Sequence, residues 1–187
     1  MRILGSIVTL LLLAIPGLPA ATFSGSTEVR KKLAEAVISA EEKQIQILED
    51  LIETGDPFIS KVLTAWRRGE LFLIEHEGST IPALLENADS KEPVKVFILE
   101  SGEVLKDKSG KELTVIPSRQ KAVETTRTLR IQFKRTTELL GISNPDPKLR
   151  EKAAFKLGSR ADPEYFAALM DRAAIEKNPR VLKKLKE

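Results

Sequence analysis

Residues 144–187 read NPDPKLREKAAFKLGSRADPEYFAALMDRAAIEKNPRVLKKLKE, and Asp146-Pro147, Asp162-Pro163 and Asn178-Pro179 recur in them every 16 residues. Each pair sets a short polar side chain at a helix N-cap and a proline in the first helical position, where its missing N–H costs nothing. An apolar stripe follows each pair: Leu149, Ala153 and Leu157; Phe166, Leu169, Met170 and Ala173; Val181, Leu182 and Leu185. Helices of about 12 residues, each with its own cap, predict stacked helix pairs of the α-solenoid kind.

The same punctuation extends upstream. Asp56-Pro57 opens a segment with Ile59, Val62, Leu63 and Trp66 at helical spacing, and Gly69 ends it. Before it, Ser26 caps a helix over 27–38. Ser39-Ala40-Glu41-Glu42 reads as a capping box for a helix carrying Ile45, Leu48, Leu51 and Ile52 that stops at Gly55. A long helix is expected from Ser118 to about Leu140, with Val123, Leu129, Phe133 and Leu140 buried, closed by Gly141. The expected fold class is therefore mainly α, with HEAT-like stacked helix pairs.

Between Glu70 and about Pro117 the period shortens. Leu71–Glu75, Val94–Leu99 and Leu113–Ile116 are β-favouring runs separated by turn-rich pieces around Gly78, Ser90, Gly102 and Gly110. They predict an antiparallel sheet of two to four strands, inserted at about 70–117 rather than standing alone, since roughly 48 residues seldom hold a separate core. Thr80–Glu86 fits either a strand or a helical turn.

Composition narrows the chemistry. The 187 residues contain no Cys, which excludes disulfides, thiolate metal sites and a catalytic thiol. Thirty Lys plus Arg against 27 Asp plus Glu give a formal charge of +3, too balanced for a nucleic-acid footprint. Met1-Arg2, the apolar run Ile3–Ile15 and the Leu18-Pro19-Ala20 end read as a signal peptide over 1–20, cleaved after Ala20 or Ala21. An uncleaved anchor is the alternative, although the run is shorter than the roughly 20 residues a span needs. The expected product is an exported, periplasmic domain over 21–187 with no membrane span.

Taken in order, these parts resemble the exported N-terminal region of urea ABC transporter permeases of the branched-chain amino-acid type. The resemblance rests on Thr54-Gly55-Asp56-Pro57, on Arg68-Gly69-Glu70-Leu71-Phe72, on Thr126-Arg127-Thr128-Leu129-Arg130, and on Asn144-Pro145-Asp146-Pro147 through Arg150, Ala153, Ala154 and Leu157. The family often carries paired Asn ahead of the first of these arginines, where this chain has Thr125-Thr126. Family members continue into a polytopic permease, whereas this sequence stops at Lys186-Glu187. The expectation is a module that does not itself form the translocation path, whether a separate product, half of a split permease or a truncated frame. The resemblance implies an accessory role in solute uptake, docking a binding protein or steadying a permease, with a permease or solute-binding protein of an ABC transporter as partner.

Candidate chemistry is sparse. Glu75-His76-Glu77 alternates along a predicted strand, which sends His76 away from both glutamates, and no second His completes a zinc set. No serine sits in a nucleophile elbow and no glycine pattern cradles phosphate, so neither an enzyme nor a cofactor is expected. The basic helix is the most suggestive feature. Arg127, Arg130, Lys134 and Arg135 form either a solvated face paired with Glu124 and Glu138, a surface for an acidic protein partner, or one for anionic lipid. Trp66 and Phe72 flank Gly69 and are read as core packing or as an exposed hot spot. The alternative to a transport accessory is a free-standing HEAT-like scaffold with a concave groove lined by the Asp-Pro helices.

Overall fold

The computed structural model describes residues 25–160 and 162–187. The expected signal segment over 1–20 lies outside them. The chain is mainly α, with seven helices and a small curled antiparallel sheet among the described residues. The order is α1 (Thr27–Ile38), α2 (Glu41–Asp50), α3 (Pro57–Arg68), β1 (Leu71–His76), β2 (Ser79–Leu85), β3 (Val94–Ile98), β4 (Thr114–Val115), β5 (Lys121–Ala122), α4 (Arg127–Ser143), α5 (Pro147–Gly158), α6 (Pro163–Ile175) and α7 (Pro179–Lys186). None of these helices is long and apolar enough to cross a membrane.

Most helix starts follow the punctuation. Ser26 accepts from the Val29 amide, Asp56 from Phe58, Asp146 from Lys148 and Asn178 from Arg180 and Val181. Asp56 does two jobs, since its second carboxylate oxygen accepts from the Ser26 amide and ties the start of α1 to the start of α3. Gly55 and Gly69 both adopt positive φ, 61° and 75°, where a side chain is strained. A Cβ on Gly55 would lie 2.0 Å from the Ser143 carbonyl oxygen, so this turn abuts the end of α4.

Three expectations at helix ends are corrected. Ser39 forms no capping box: its hydroxyl donates to the Glu35 carbonyl at 2.7 Å and its amide bonds to Ala36, so it finishes α1. Ala40 precedes α2 without a side-chain cap. The long helix begins after Thr126, which accepts from the Leu129 amide, and not at Ser118. Pro117–Arg119 make a tight helical turn, Lys121-Ala122 then pair with the free edge of β1 as β5, and the Val123 amide donates to the Leu71 carbonyl, while Val123, Thr125 and Thr126 are poor helix formers. Gly141 does not close the helix. It lets α5 approach so closely that a Cβ there would stand 2.8 Å from the Ala153 Cβ, and α4 runs on to Ser143.

The sheet has five strands in the order β4-β3-β2-β1-β5, more than the two to four expected. The ambiguous Thr80–Glu86 segment lies largely within β2, joined to β1 through the two-residue Glu77-Gly78 turn with both residues at positive φ. The pleat gives β1 two loyalties. Leu71 enters the core shared with α1–α4, while Phe72 and Ile74 enter a second one with Ala83, Leu85, Val94, Val96 and Leu105. Arg30 of α1 stitches helices to sheet: it is buried, lies 4.3 Å over the Phe58 ring and donates to the Leu99 carbonyl at 3.1 Å. A third cluster joins Leu139 and Ile142 of α4 to Ala154, Leu157, Tyr165, Leu169, Val181 and Leu185 of α5–α7.

Candidate functional site

Of the predicted cationic set on α4, Arg127, Arg130 and Lys134 are exposed and Arg135 is half-buried. Arg130 folds back to donate to the Thr125 hydroxyl at 3.0 Å and the Thr125 carbonyl at 3.2 Å. Those bonds hold a cation in the first turn, where the helix dipole disfavours it. Arg135 turns to the other side and pairs with Glu49 of α2 at 3.5 Å. Arg127 and Lys134 stay exposed. Trp66 and Phe72 are core residues, 1% and 5% exposed, so neither offers a hot spot to a partner. Trp66 stacks obliquely on Phe133 with ring centroids 5.0 Å apart and donates its indole N–H to the Glu124 carbonyl at 3.2 Å. Phe72 lies in the separate cluster on the sheet. His76, at the end of β1, has its Nε2 3.9 Å from the Glu77 carboxylate.

Lys134 sits instead at a hollow of about 220 Å³ between α3, α4 and α5. Leu63 and Phe133 contribute its apolar lining, and both are buried. Arg67 from the last turn of α3 and Lys156 from the last turn of α5 line it with Lys134. All three cations are exposed, and none has a hydrogen bond or ion pair among the described residues. Thr64 spends its hydroxyl proton on the Ser60 carbonyl at 2.7 Å, which leaves the Thr137 hydroxyl as the neutral donor at the rim.

One carboxylate, Glu138, lines the same hollow but is already engaged. It accepts from the Arg160 guanidinium at 2.6 Å and from the Tyr165 hydroxyl. Burial acts to raise the Glu138 carboxyl, but Tyr165 and Arg160, with the nearby Lys134 charge, outweigh it and hold the group below the ordinary carboxylate range. Arg67 and Lys156 had no sequence signal as site residues. Each reads as a cation suited to the C-terminal end of its own helix, and only the packing of three helices gathers them.

A buried ionic joint stabilises the far end of the chain. The Glu176 side chain, 1% exposed, accepts from Arg150 Nε at 2.8 Å and Nη2 at 2.9 Å, from Arg172 Nη2 at 2.9 Å and from the Asn178 amide at 2.8 Å. Arg150 also donates to the carbonyls of Asn144 and Pro145. Its hydrogen bond, above the other contacts, pulls the Glu176 carboxyl down to about 2 against the opposing effect of burial. Beside this joint, Ile52, Leu139, Ile142, Ala168 and the exposed Ile175 line a groove of about 630 Å³ between α6, α4 and the Ile52–Thr54 turn. Phe155, Phe166 and Met170 are also well exposed on α5 and α6.

Comparison with known proteins finds no matching family model, no similar curated protein and no similar solved structure.

Proposed function

We propose that this chain is a non-catalytic, exported accessory module related to the N-terminal extracytoplasmic region of urea ABC transporter permeases. In this reading it supports solute uptake by contacting the permease or the solute-binding protein, and α4–α7 serve as a short HEAT-like stack. The observation that carries the reading is the exposed cationic side of α4. Arg127, Arg130 and Lys134 remain exposed, and of the four cations only Arg135 pairs closely with a carboxylate among the described residues, Glu49, which suits an acidic protein face. Two of the motifs behind the resemblance also lie side by side: the Gly55 turn abuts Ser143 and Asn144, at the start of Asn144-Pro145-Asp146-Pro147. The test is affinity capture from a membrane extract at low salt, where exposed charge contacts survive. A permease, ATPase or solute-binding protein recovered with the wild-type chain, and lost with Arg127→Glu/Lys134→Glu, supports the proposal. Recovery of none overturns it.

The groove beside α6 favours a second reading, a free-standing scaffold that holds a peptide against Ile52, Leu139 and Ile175. That reading expects capture to yield a soluble protein, lost on Ile175→Asp and unaffected by Lys134→Glu.

A further inference from the structure

We infer that the hollow between α3, α4 and α5 is a carboxylate-recognition site that seats the acidic side chains of an exposed partner segment. The inference rests on the reading of α4 as a surface for an acidic protein, and it adds where and how the carboxylates are held. Elsewhere several cations have found carboxylates: Lys43 with Glu35, Lys95 with Glu112, Arg135 with Glu49 and Arg160 with Glu138. Arg67, Lys134 and Lys156 come from three different helices to one depression without doing so. Glu138, the carboxylate in reach, is bonded to Arg160 and Tyr165 and also attracts Lys134 through space, so one already-engaged carboxylate faces three cations.

Gathering like charges around a hollow raises its potential, and the apolar Leu63 and Phe133 beneath focus it. The packed helices fix where the three cations start, so a ligand need order only side chains. The size selects the ligand. About 220 Å³ admits one or two carboxylate groups. It falls below the roughly 300–1,000 Å³ of pockets that engulf small molecules. Arg67 supplies a planar fork suited to bidentate carboxylate contact, the two lysines supply point charges, and Thr137 supplies a neutral donor.

The test is fluorescence anisotropy of labelled hexaglutamate with the purified protein at low salt. The prediction is saturable binding that weakens at least about tenfold in Arg67→Glu/Lys134→Glu/Lys156→Glu, as loss of several close charge contacts demands. Lys91→Glu/Lys106→Glu/Lys108→Glu makes the same change in net charge at exposed sites of the β region and is expected to weaken binding less than about twofold. Thermal melts by circular dichroism confirm that both variants fold, since no altered side chain is buried. Equal weakening by the two triple variants, or no binding at all, overturns the inference. So does binding to phosphatidylglycerol vesicles that depends on the same three cations while hexaglutamate fails, which would assign the surface to membrane. Complete displacement of hexaglutamate by equimolar inorganic phosphate would also overturn it, as the mark of a simple anion site. Hexaglutamate is no transporter component, so its binding tests the hollow separately from the partner's identity. Capture of a transporter component by a chain lacking Arg67 and Lys156 sinks the hollow and spares the function.

Discussion

Replacing Glu176 with glutamine removes the anion on which α5, α6 and the start of α7 converge. In the folded protein two guanidiniums and a backbone amide lie within 2.9 Å of its carboxylate oxygens, and the carboxylate is almost fully enclosed. Depression of the carboxyl from 4.5 to about 2 corresponds to about 3 kcal/mol of stabilisation carried by the ionised form. Breaking a buried pair by removing one partner costs about 3–5 kcal/mol, because the partner charge stays behind. That is a large part of a typical total of about 5–15 kcal/mol. For a chain of this size it amounts to a fall in melting temperature on the order of 10 °C. The pH dependence has a definite sign. The folded-state pKa is depressed, so this contribution is complete above about pH 4.5 and is lost as pH falls toward about 2. Melting temperatures by circular dichroism, taken from pH 7 down to pH 2 for wild type and Glu176→Gln, measure both effects. The curves should lie furthest apart at neutral pH and converge in acid. A Glu176→Gln melting point within about 2 °C of wild type at pH 7, or a constant gap down to acid, refutes the reasoning.

Two more expectations follow from the packing. Gly55→Ala should cost more than about 2 kcal/mol in urea unfolding, from left-handed strain plus a clash with the Ser143 carbonyl. Gly78→Ala shares the positive φ but faces open space, and should cost only about 1 kcal/mol. Trp66→Phe should lower stability by about 1–3 kcal/mol, since it leaves the Glu124 carbonyl without its indole donor and opens space beside Phe133. It also deletes the chain's one tryptophan, so circular dichroism must follow its unfolding.

Much of the helical frame was legible because its signals are local. Asp56-Pro57, Asp146-Pro147 and Asn178-Pro179 cap helices through bonds spanning two or three residues, and Gly55 and Gly69 announce left-handed turns. What failed depended on distant partners. Lys121-Ala122 is too short to show a period, and it is a strand only because β1 offers an edge. Ser39 has the chemistry of a cap, but the end of α1 claimed its hydroxyl first. Gly141 marks a close helix crossing instead of a stop, a distinction set by Ala153 on another helix. The site divides in the same way. Lys134 was visible as part of a basic helix, whereas Arg67 and Lys156 join it only through tertiary packing. Glu176 lies 26 residues from Arg150, and nothing in either segment's local pattern couples them.

The most direct measurement is site-specific photo-crosslinking in cells that express the protein, with the reactive residue placed at Lys134 on α4 or at Lys108 in the β region. Crosslinks from position 134, but not from 108, to a transporter permease or its solute-binding protein are the predicted result. Equal products from both positions, or none from 134, would contradict an interaction module that meets its partner on the cationic side of α4.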